Sequence, residues 1–514
     1  MPDVAESFRA WFQAMQADGW AFGGGVAVLL LLVGLGEALR MAGWSPRASR
    51  NVVHAGVGVF VASTPLLFTS PVPIYAMALL FVTANGVALG RGWWLGIHTA
   101  DTTSVGTVTF PLVLIPALAL TWSIDPDRVF ALQVAFLVLA FADPMAAWVG
   151  ASRGAEAQYQ LGATPKSVPG SIAFGVTSWI VATTALLVFG ASGATAWDLA
   201  ACLAAGSVVA LVSTAVEALG GRGWDNFFVV LAVLAVLVPL THQPAQWPLM
   251  LLATASGGAF AGAAYGVRAL DASGAVAGGL FAAALVGLGG WAWIVPGLVF
   301  FIFSSALSRV GPRLKGSLHQ RQATGEVRNA RQVYANGGVA WILLLIHTAM
   351  PHANWWIGFL GALSAAAADT WATELGALSP RRPRSLRTGQ RVPRGTSGAV
   401  SVTGMFASLG GAASVGVSAA LFWVGTDPIG PSWLVAVVVA AGVLGAWGDS
   451  VVGAWGQAQY RDPETGLLVE QAEGAEDPRT PVRGWAVLTN DRVNWIGTTL
   501  GALTAGCCAA FFIG

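Results

Sequence analysis

Charge is the scarcest thing in this chain: Asp, Glu, Lys and Arg make up only 10% of its residues, against about a quarter in an ordinary soluble domain. What charge there is nearly cancels, at +1 overall, so nothing points to a nucleic-acid partner and none is expected. Lysine is almost missing, with Lys166 and Lys315 the only two. No Gly-x-x-x-x-Gly-Lys-[Ser/Thr] stretch occurs, which excludes a P-loop nucleotide fold. Cysteine is limited to Cys202, Cys507 and Cys508, all inside apolar segments, so neither a disulfide framework nor a zinc cluster is expected. Sustained apolar/polar alternation is lacking too, and with it a membrane β-barrel.

What fills the space is apolar. Of the 514 residues 55% are hydrophobic, and the mean hydropathy is +0.67. Continuous apolar runs of bilayer-crossing length recur along the chain. They predict an all-α, polytopic transmembrane protein of about 14–16 spans, at most sixteen, the first over 21–40 and the last over 492–513. Residues 1–20 read as an amphipathic lead-in lying at the interface. The polar segment His242–Pro248 divides a membrane domain over 21–242 from a second over 248–514. Arginine clusters alternate with nearly uncharged loops, and the positive-inside rule puts every basic loop on one side. The expected location is therefore multi-pass in a bacterial inner (cytoplasmic) membrane, with the chemistry facing the cytoplasm.

In such a chain each charged residue near a span is a candidate for function, because burying it costs several kcal/mol unless it is partnered. One pattern occurs twice. Its first copy runs Ala142-Asp143-Pro144 to Gly150, then a polar loop ending Lys166-Ser167-Val168-Pro169-Gly170-Ser171. Its second runs Ala368-Asp369-Thr370 through Glu374 to Gly376, then a basic loop ending Arg394-Gly395-Thr396. Each reads as a carboxylate near the end of an apolar helix, a basic loop, and Gly-Ser or Gly-Thr opening the next helix, whose free N–H groups suit phosphate.

Around the first copy stand Arg50 and His54, four apart and so on one helix face. Thr107 follows in a Gly/Thr-rich helix start just after Asp101, and then Glu217, Asp225 and Asn226. Carboxylates and amides of this kind suit Mg²⁺, a hard cation held by oxygen; topology alone also accounts for Arg50, and helix capping for Asp225. Around the second copy stand Asp271, Asn336, Asp449 in mid-span, and Asn490-Asp491 with Asn494. An acidic insert over Tyr460–Arg483 reads as a solvated loop.

Residues 45–240 resemble the dolichol kinase/phytol kinase family, through Arg50…His54, Gly106-Thr107-Val108-Thr109-Phe110-Pro111, Asp143-Pro144…Gly150, Lys166-Ser167…Gly170-Ser171 and Asp225-Asn226. Residues 255–512 resemble the phytyl-phosphate kinase family, through Asp271-Ala272-Ser273-Gly274, Asn336-Gly337-Gly338, Ala368-Asp369…Gly376, Gly395-Thr396, Gly448-Asp449-Ser450 and Asn490-Asp491. The resemblance implies a fused enzyme that phosphorylates phytol or a related prenyl alcohol to the monophosphate and then to the diphosphate. CTP or another nucleoside triphosphate would be the donor and Mg²⁺ the cofactor. Asp143, Lys166, Asp369 and Asp449 would be catalytic. Arg50, His54, Thr107, Ser167, Gly170, Ser171, Asn336, Arg394, Gly395 and Thr396 would bind phosphate. Asp143, Glu217, Asp225, Asn226, Asp271, Asp369, Glu374, Asp449, Asn490 and Asp491 would hold metal. Two alternatives stay open: a CDP-lipid-type cytidylyltransferase, and an isoprenoid-phosphate transporter built from two related halves.

Overall fold

In the computed structural model each of the sixteen expected spans coincides with a helix. The structure describes residues 4–91, 104–153, 157–191, 197–310, 327–423, 430–461, 468–470 and 480–513; Asp101, Lys315 and most of the acidic insert lie outside them. Helices are what a lipid environment enforces, since every backbone N–H and C=O must find its partner within the segment. Twelve helical segments among the described residues are long and apolar enough to cross a membrane. The other four are Pro46–Leu67, Asp225–Leu240, Ala330–Ala349 and Ala353–Gly376, and every one of them carries candidate site residues. Asp225–Leu240 is apolar but only 16 residues long; in the other three, polar groups lower the hydropathy.

The chain divides into two compact units, Met1–Thr254 and Ala255–Gly514. The division falls inside the helix Trp247–Gly266 and not in the polar segment before it. The reason is local: His242 hydrogen-bonds Asp125 at 2.6 Å, and the short turn Pro244–Gln246 runs straight into that helix. The polar segment is thus tied into the first unit.

After the lead-in helix α1 (Val4–Ala17), the first unit contains α2 (Gly19–Met41), α3 (Pro46–Leu67), α4 (Val72–Arg91), α5 (Gly106–Leu118), α6 (Val129–Arg153), α7 (Val168–Ala191), α8 (Leu199–Leu219) and α9 (Asp225–Leu240). Its centre is α6, which packs against α3, α7 and α9 and is buried almost continuously from Phe130 to Ala142. A helix that is apolar all round belongs in the middle of a bundle. Asp143 follows at the end of that buried run. The helix α10 (Trp247–Gly266) leads into the second unit, with α11 (Ala272–Ala284), α12 (Trp291–Ser308), α13 (Ala330–Ala349), α14 (Ala353–Gly376), α15 (Val402–Ala420), α16 (Pro431–Trp455) and α17 (Asn490–Ile513). Here α14 is central, packed on α13, α15, α16 and α17 and buried from Ile357 to Ala368. Asp369 is the next residue. Each unit is therefore organised round one buried helix that ends its core run on the repeated aspartate.

Both central helices are followed by a two-stranded antiparallel hairpin. In the first, β1 (Gln158–Tyr159) pairs β2 (Lys166–Ser167); in the second, β3 (Arg384–Ser385) pairs β4 (Ala399–Val400). The second hairpin corrects one expectation. Gly395-Thr396 does not open a helix: it lies in a turn, with Gly395 at φ +76° and the Thr396 hydroxyl donating to Pro393 O at 2.8 Å. The helix opens later, with Ser401 as its N-cap, its hydroxyl accepting a hydrogen bond from Gly404 N at 3.0 Å.

Candidate functional site

In the first unit Ser167 does the same work as Ser401. Its hydroxyl accepts from Gly170 N at 3.3 Å, and a Cβ on Gly150 or on Gly170 would stand 2.9 Å from that oxygen. In the second unit a Cβ on Gly376 would stand 3.2 Å, and one on Gly404 3.1 Å, from Ser401 Oγ. Two glycines and one capping serine thus clasp the end of the central helix to the start of the next in each unit. The clasp fixes where the aspartate seven residues before the first glycine sits.

Above the first clasp is a cavity of about 740 Å³. It gathers candidate residues from far apart in the chain: Arg50 and His54 from α3, Thr107 from α5, Asp143 from α6, Lys166, Ser167, Gly170 and Ser171 from the hairpin and α7, Glu217 from α8, and Asp225 and Asn226 from α9. His54 Nε2 lies 3.3 Å from Leu139 O and 3.8 Å from Asp143 Oδ2, with its ring edge-on to Phe110. Lys166 makes an ion pair with Glu217 and a second with Asp225 Oδ2 at 3.2 Å. Burial disfavours its ammonium, but the Asp225 and Glu217 carboxylates more than offset this and raise its pKa above the ordinary lysine value. These three were expected in separate roles, Lys166 catalytic and Glu217 and Asp225 binding metal; the structure joins them in one cluster.

The turn between α8 and α9 is built into the wall. Arg222 takes the left-handed conformation at φ +53°, a strained geometry for a non-glycine residue. Its carbonyl accepts from Val105 N at 2.8 Å, and Gly223 O accepts from the Thr109 hydroxyl at 2.5 Å. Asn226 Nδ2 donates to Gly106 O at 3.4 Å and so positions the start of α5. Sequence reasoning passed over Arg47, Gln158, Arg222 and Asn85, which also line the cavity. Asn85, donating to Thr107 O at 3.0 Å, had a readable signal as a polar residue within an apolar span.

The second unit builds its site differently. The helices α14, α16 and α17 meet at small residues: a Cβ on Gly445 would stand 2.7 Å from Gly497 O, and one on Gly501 2.6 Å from Gly361 O. One turn beyond this seam stand Asp369 and Asp449, close enough to act on each other electrostatically. Asp449 Oδ2 is buried with no hydrogen-bond partner among the described residues. On α17 Asn490 and Asn494 continue the face that carries Gly497 and Gly501, and Asn490 Oδ1 accepts from Gln457 Nε2 at 3.4 Å. Asp491 faces Arg331.

Other residues expected at this site serve elsewhere. Asp271 caps α11, its Oδ1 accepting from Gly274 N at 2.7 Å and from Ser273 Oγ at 2.8 Å. Asn336 donates to Gln332 O at 2.8 Å and lines a separate small cavity of about 70 Å³ with Arg328. Glu374 acts electrostatically on Arg328. Arg394 donates to Ser379 O at 2.5 Å and fastens its own loop.

Both sites suit a hard divalent cation, in different ways. In the second, Asp369 and the Asp449 oxygen that has no hydrogen-bond partner among the described residues are donors of the kind such a cation takes. In the first, Lys166 offsets only one of the two negative charges on Glu217 and Asp225, and Asp143 adds a further carboxylate to the same cavity.

The family model described as integral membrane protein DUF92 matches residues 255–502. An uncharacterized membrane protein of Methanocaldococcus jannaschii is 31% identical over 237 residues, which are 46% of this chain and 84% of the relative. Protein PGR of Arabidopsis thaliana is 29% identical over 37% of this chain and 73% of its own length. An uncharacterized membrane protein of a Synechocystis strain is 28% identical over 42% of this chain and 73% of the relative. No solved structure matches the chain.

Proposed function

For this chain, which belongs to the DUF92 family of integral membrane proteins, we propose a two-step isoprenoid alcohol kinase. The first unit converts a prenyl alcohol such as phytol to its monophosphate, and the second converts the monophosphate to the diphosphate, with CTP or another nucleoside triphosphate as donor. One observation carries the reading: the first unit's cavity holds Arg50, His54, Asp143, Lys166 and Asp225 at one end and apolar side chains of α2, α3, α4 and α5 at the other. That arrangement fits a molecule with a phosphate-accepting head and a lipid tail.

In the first step the alcohol oxygen attacks the terminal phosphorus of the nucleotide, the bond to the bridging oxygen breaks, and the nucleoside diphosphate leaves. The hydroxyl proton passes to Asp143, which His54 holds at the cavity wall. Arg50 and Lys166 balance charge on the transferring group, and their placement ahead of reaction is where most of the catalytic effect of such sites lies. Mg²⁺, held at Asp143 in the first unit and at Asp369 and Asp449 in the second, would supply further neutralisation of phosphate charge. In the second unit the nucleophile is a phosphate oxygen already ionised at neutral pH, so no base is needed there.

The test uses purified full-length protein with Mg²⁺, phytol and CTP labelled at the terminal phosphate. Labelled monophosphate followed by diphosphate is the expected result. A cytidine-containing lipid would point to nucleotidyl transfer, and no labelled lipid at all would overturn the proposal.

A further inference from the structure

The second unit draws its positive charge from a different place than the first. In the first, Lys166 directly precedes the capping Ser167; in the second, Val400 holds that place before Ser401. Arg394, the cation expected there, is spent on Ser379 O. Two other arginines come together instead: Arg387, just after β3 in its hairpin, and Arg483, shortly before α17. Arg483 ends the acidic insert expected to be a solvated loop.

Their meeting is fixed by the end of α16. Gly453 lies four residues after Asp449, on the same helix face and one turn nearer the helix end. There the Ser397 hydroxyl stands 3.2 Å from Gly453 O and 2.5 Å from Gln457 Oε1. The next residue, Gly398, takes φ +68° and lies so close to Ala454 that a Cβ would overlap it. Its carbonyl accepts from Leu386 N at 3.1 Å, which puts Arg387 beside the same helix end. From the other direction the Arg483 guanidinium donates to Ala454 O, while Arg483 and Gln459 exchange backbone hydrogen bonds at 2.9 and 3.3 Å. Hairpin, helix end and the segment before α17 are thus fastened together next to the face that carries Asp449.

Two like charges held side by side repel, and an anion bridging them removes the repulsion. Burial and the charge of Arg387 together push the Arg483 guanidinium below the ordinary arginine value. Neither arginine makes an ion pair among the described residues. Arg483 spends two of its five N–H donors, on Ala454 O and on Gln459 Oε1 at 3.5 Å. Capping the negative end of α16 accounts for the first of these bonds, but not for Arg387, which is exposed. Planar guanidinium forks match pairs of phosphate oxygens. We infer that Arg387 and Arg483 form the phosphate-binding pair of the second unit, standing about 7 Å along α16 from Asp449. The pair takes the part in this unit that Lys166 takes in the first. The two candidate carriers of the phosphate, a nucleoside triphosphate and a prenyl monophosphate, rest on the kinase reading, while the pairing of the arginines stands on the fold.

The experiment reads the two side chains directly and needs no turnover. Full-length protein in nanodiscs of zwitterionic lipid is treated with phenylglyoxal, which modifies arginine, and the rate at each arginine is followed by peptide mass spectrometry. CTP and phytyl monophosphate are added in separate arms. At about ten times its Kd, the ligand that the pair holds should slow modification of Arg387 and Arg483 about tenfold, and leave the exposed Arg381 and Arg382 almost unchanged. Protection by CTP assigns the pair to the donor, and protection by phytyl monophosphate assigns it to the acceptor. Arg387→Gln, at an exposed position, should raise the concentration that half-protects Arg483 about ten- to hundredfold, the value of one lost charge-assisted contact. Rates at the pair that neither ligand changes, or protection spread evenly over Arg381 and Arg382 as well, overturn the inference. Protection of the pair in a protein that forms no labelled diphosphate would overturn the kinase reading and leave the phosphate site standing.

Discussion

Lys166 and Val400 occupy the same place in the two units: each ends or nearly ends the second strand of its hairpin, immediately before the serine that caps the next helix. The position of Glu217, three residues before the helix-ending Gly220, is likewise held by Gly453 before Gly456. An ammonium and its carboxylate partner are therefore both present in one unit and both absent from the other. The second unit instead carries Asp449 one turn deeper in α16. The two sites share a clasp and a repeated aspartate, and differ in where their positive charge comes from.

Lys166→Met should lower monophosphate formation at least a hundredfold and leave conversion of supplied monophosphate intact. It also leaves Glu217 and Asp225 facing each other without a cation, at a cost of about 3 kcal/mol for a buried pair. Lys166→Met combined with Glu217→Gln should recover most of the thermal stability and none of the first activity. Recovery of activity in the double variant would show that Lys166 acts only as a structural counter-ion.

The pH response of that ion pair has a definite sign. A folded-state pKa raised above the ordinary value stabilises the fold while the lysine is protonated in both states, below about 10.5, and the contribution fades only as pH rises beyond it. Thermal melts of wild type and Lys166→Met should therefore keep their difference as pH rises from 7.5 to 9, and the difference should narrow toward pH 5 as the uncompensated carboxylate pair of the variant takes up a proton. A difference that shrinks from pH 7.5 to 9 would contradict the placement of the ammonium between two carboxylates.

The aspartates separate the two steps. Asp143→Asn should abolish phosphorylation of the alcohol only, while Asp369→Asn and Asp449→Asn should abolish formation of the diphosphate only. Product analysis by thin-layer chromatography, supplying alcohol or monophosphate in turn, distinguishes these outcomes. Loss of both steps from any one substitution would mean that the sites are not independent.

The serine clasp predicts matched costs. Ser167→Ala and Ser401→Ala each remove an N-cap, which is worth about 1 kcal/mol. Gly150→Val and Gly376→Val should cost more, since the added side chain must displace the serine oxygen that a Cβ alone would already crowd. Unfolding in detergent measures both; a Ser401→Ala cost near zero would remove the equivalence of the two clasps.

Divalent cation should stabilise the second unit's site more than the first. Mg²⁺ is expected to raise the melting temperature of wild type, and Asp449→Asn, which removes the unpartnered buried oxygen, should abolish most of that rise. Asp271→Asn should leave the rise unchanged, because Asp271 is spent on capping α11.

Much of this was legible in the chain itself, for a physical reason. In a membrane protein with 10% charged residues each carboxylate stands out, since burial in an apolar span is tolerated only with a partner or a purpose. Asp143, Lys166, Glu217 and Asp225 could be picked out singly in this way, and so could Asp369 and Asp449. Asp271 and Arg394 looked equivalent on the same grounds, and only their hydrogen bonds reveal one as a helix cap and the other as a loop fastener.

Hydropathy, then, determined the helical membrane class, the two halves and the aspartate closing each central helix, because these follow from local composition. Tertiary structure alone decided the register of the repeat. Asp143 precedes Ser167 by 24 residues and Asp369 precedes Ser401 by 32, and a hairpin absorbs that difference without moving the clasp, so linear spacing matched Gly395 to Gly170 where the fold matches Gly404. It also decided which polar residues meet in the first cavity: α3, α5, α6, α8 and α9 bring them together from far apart in the chain, a matter of packing that no single stretch of it encodes.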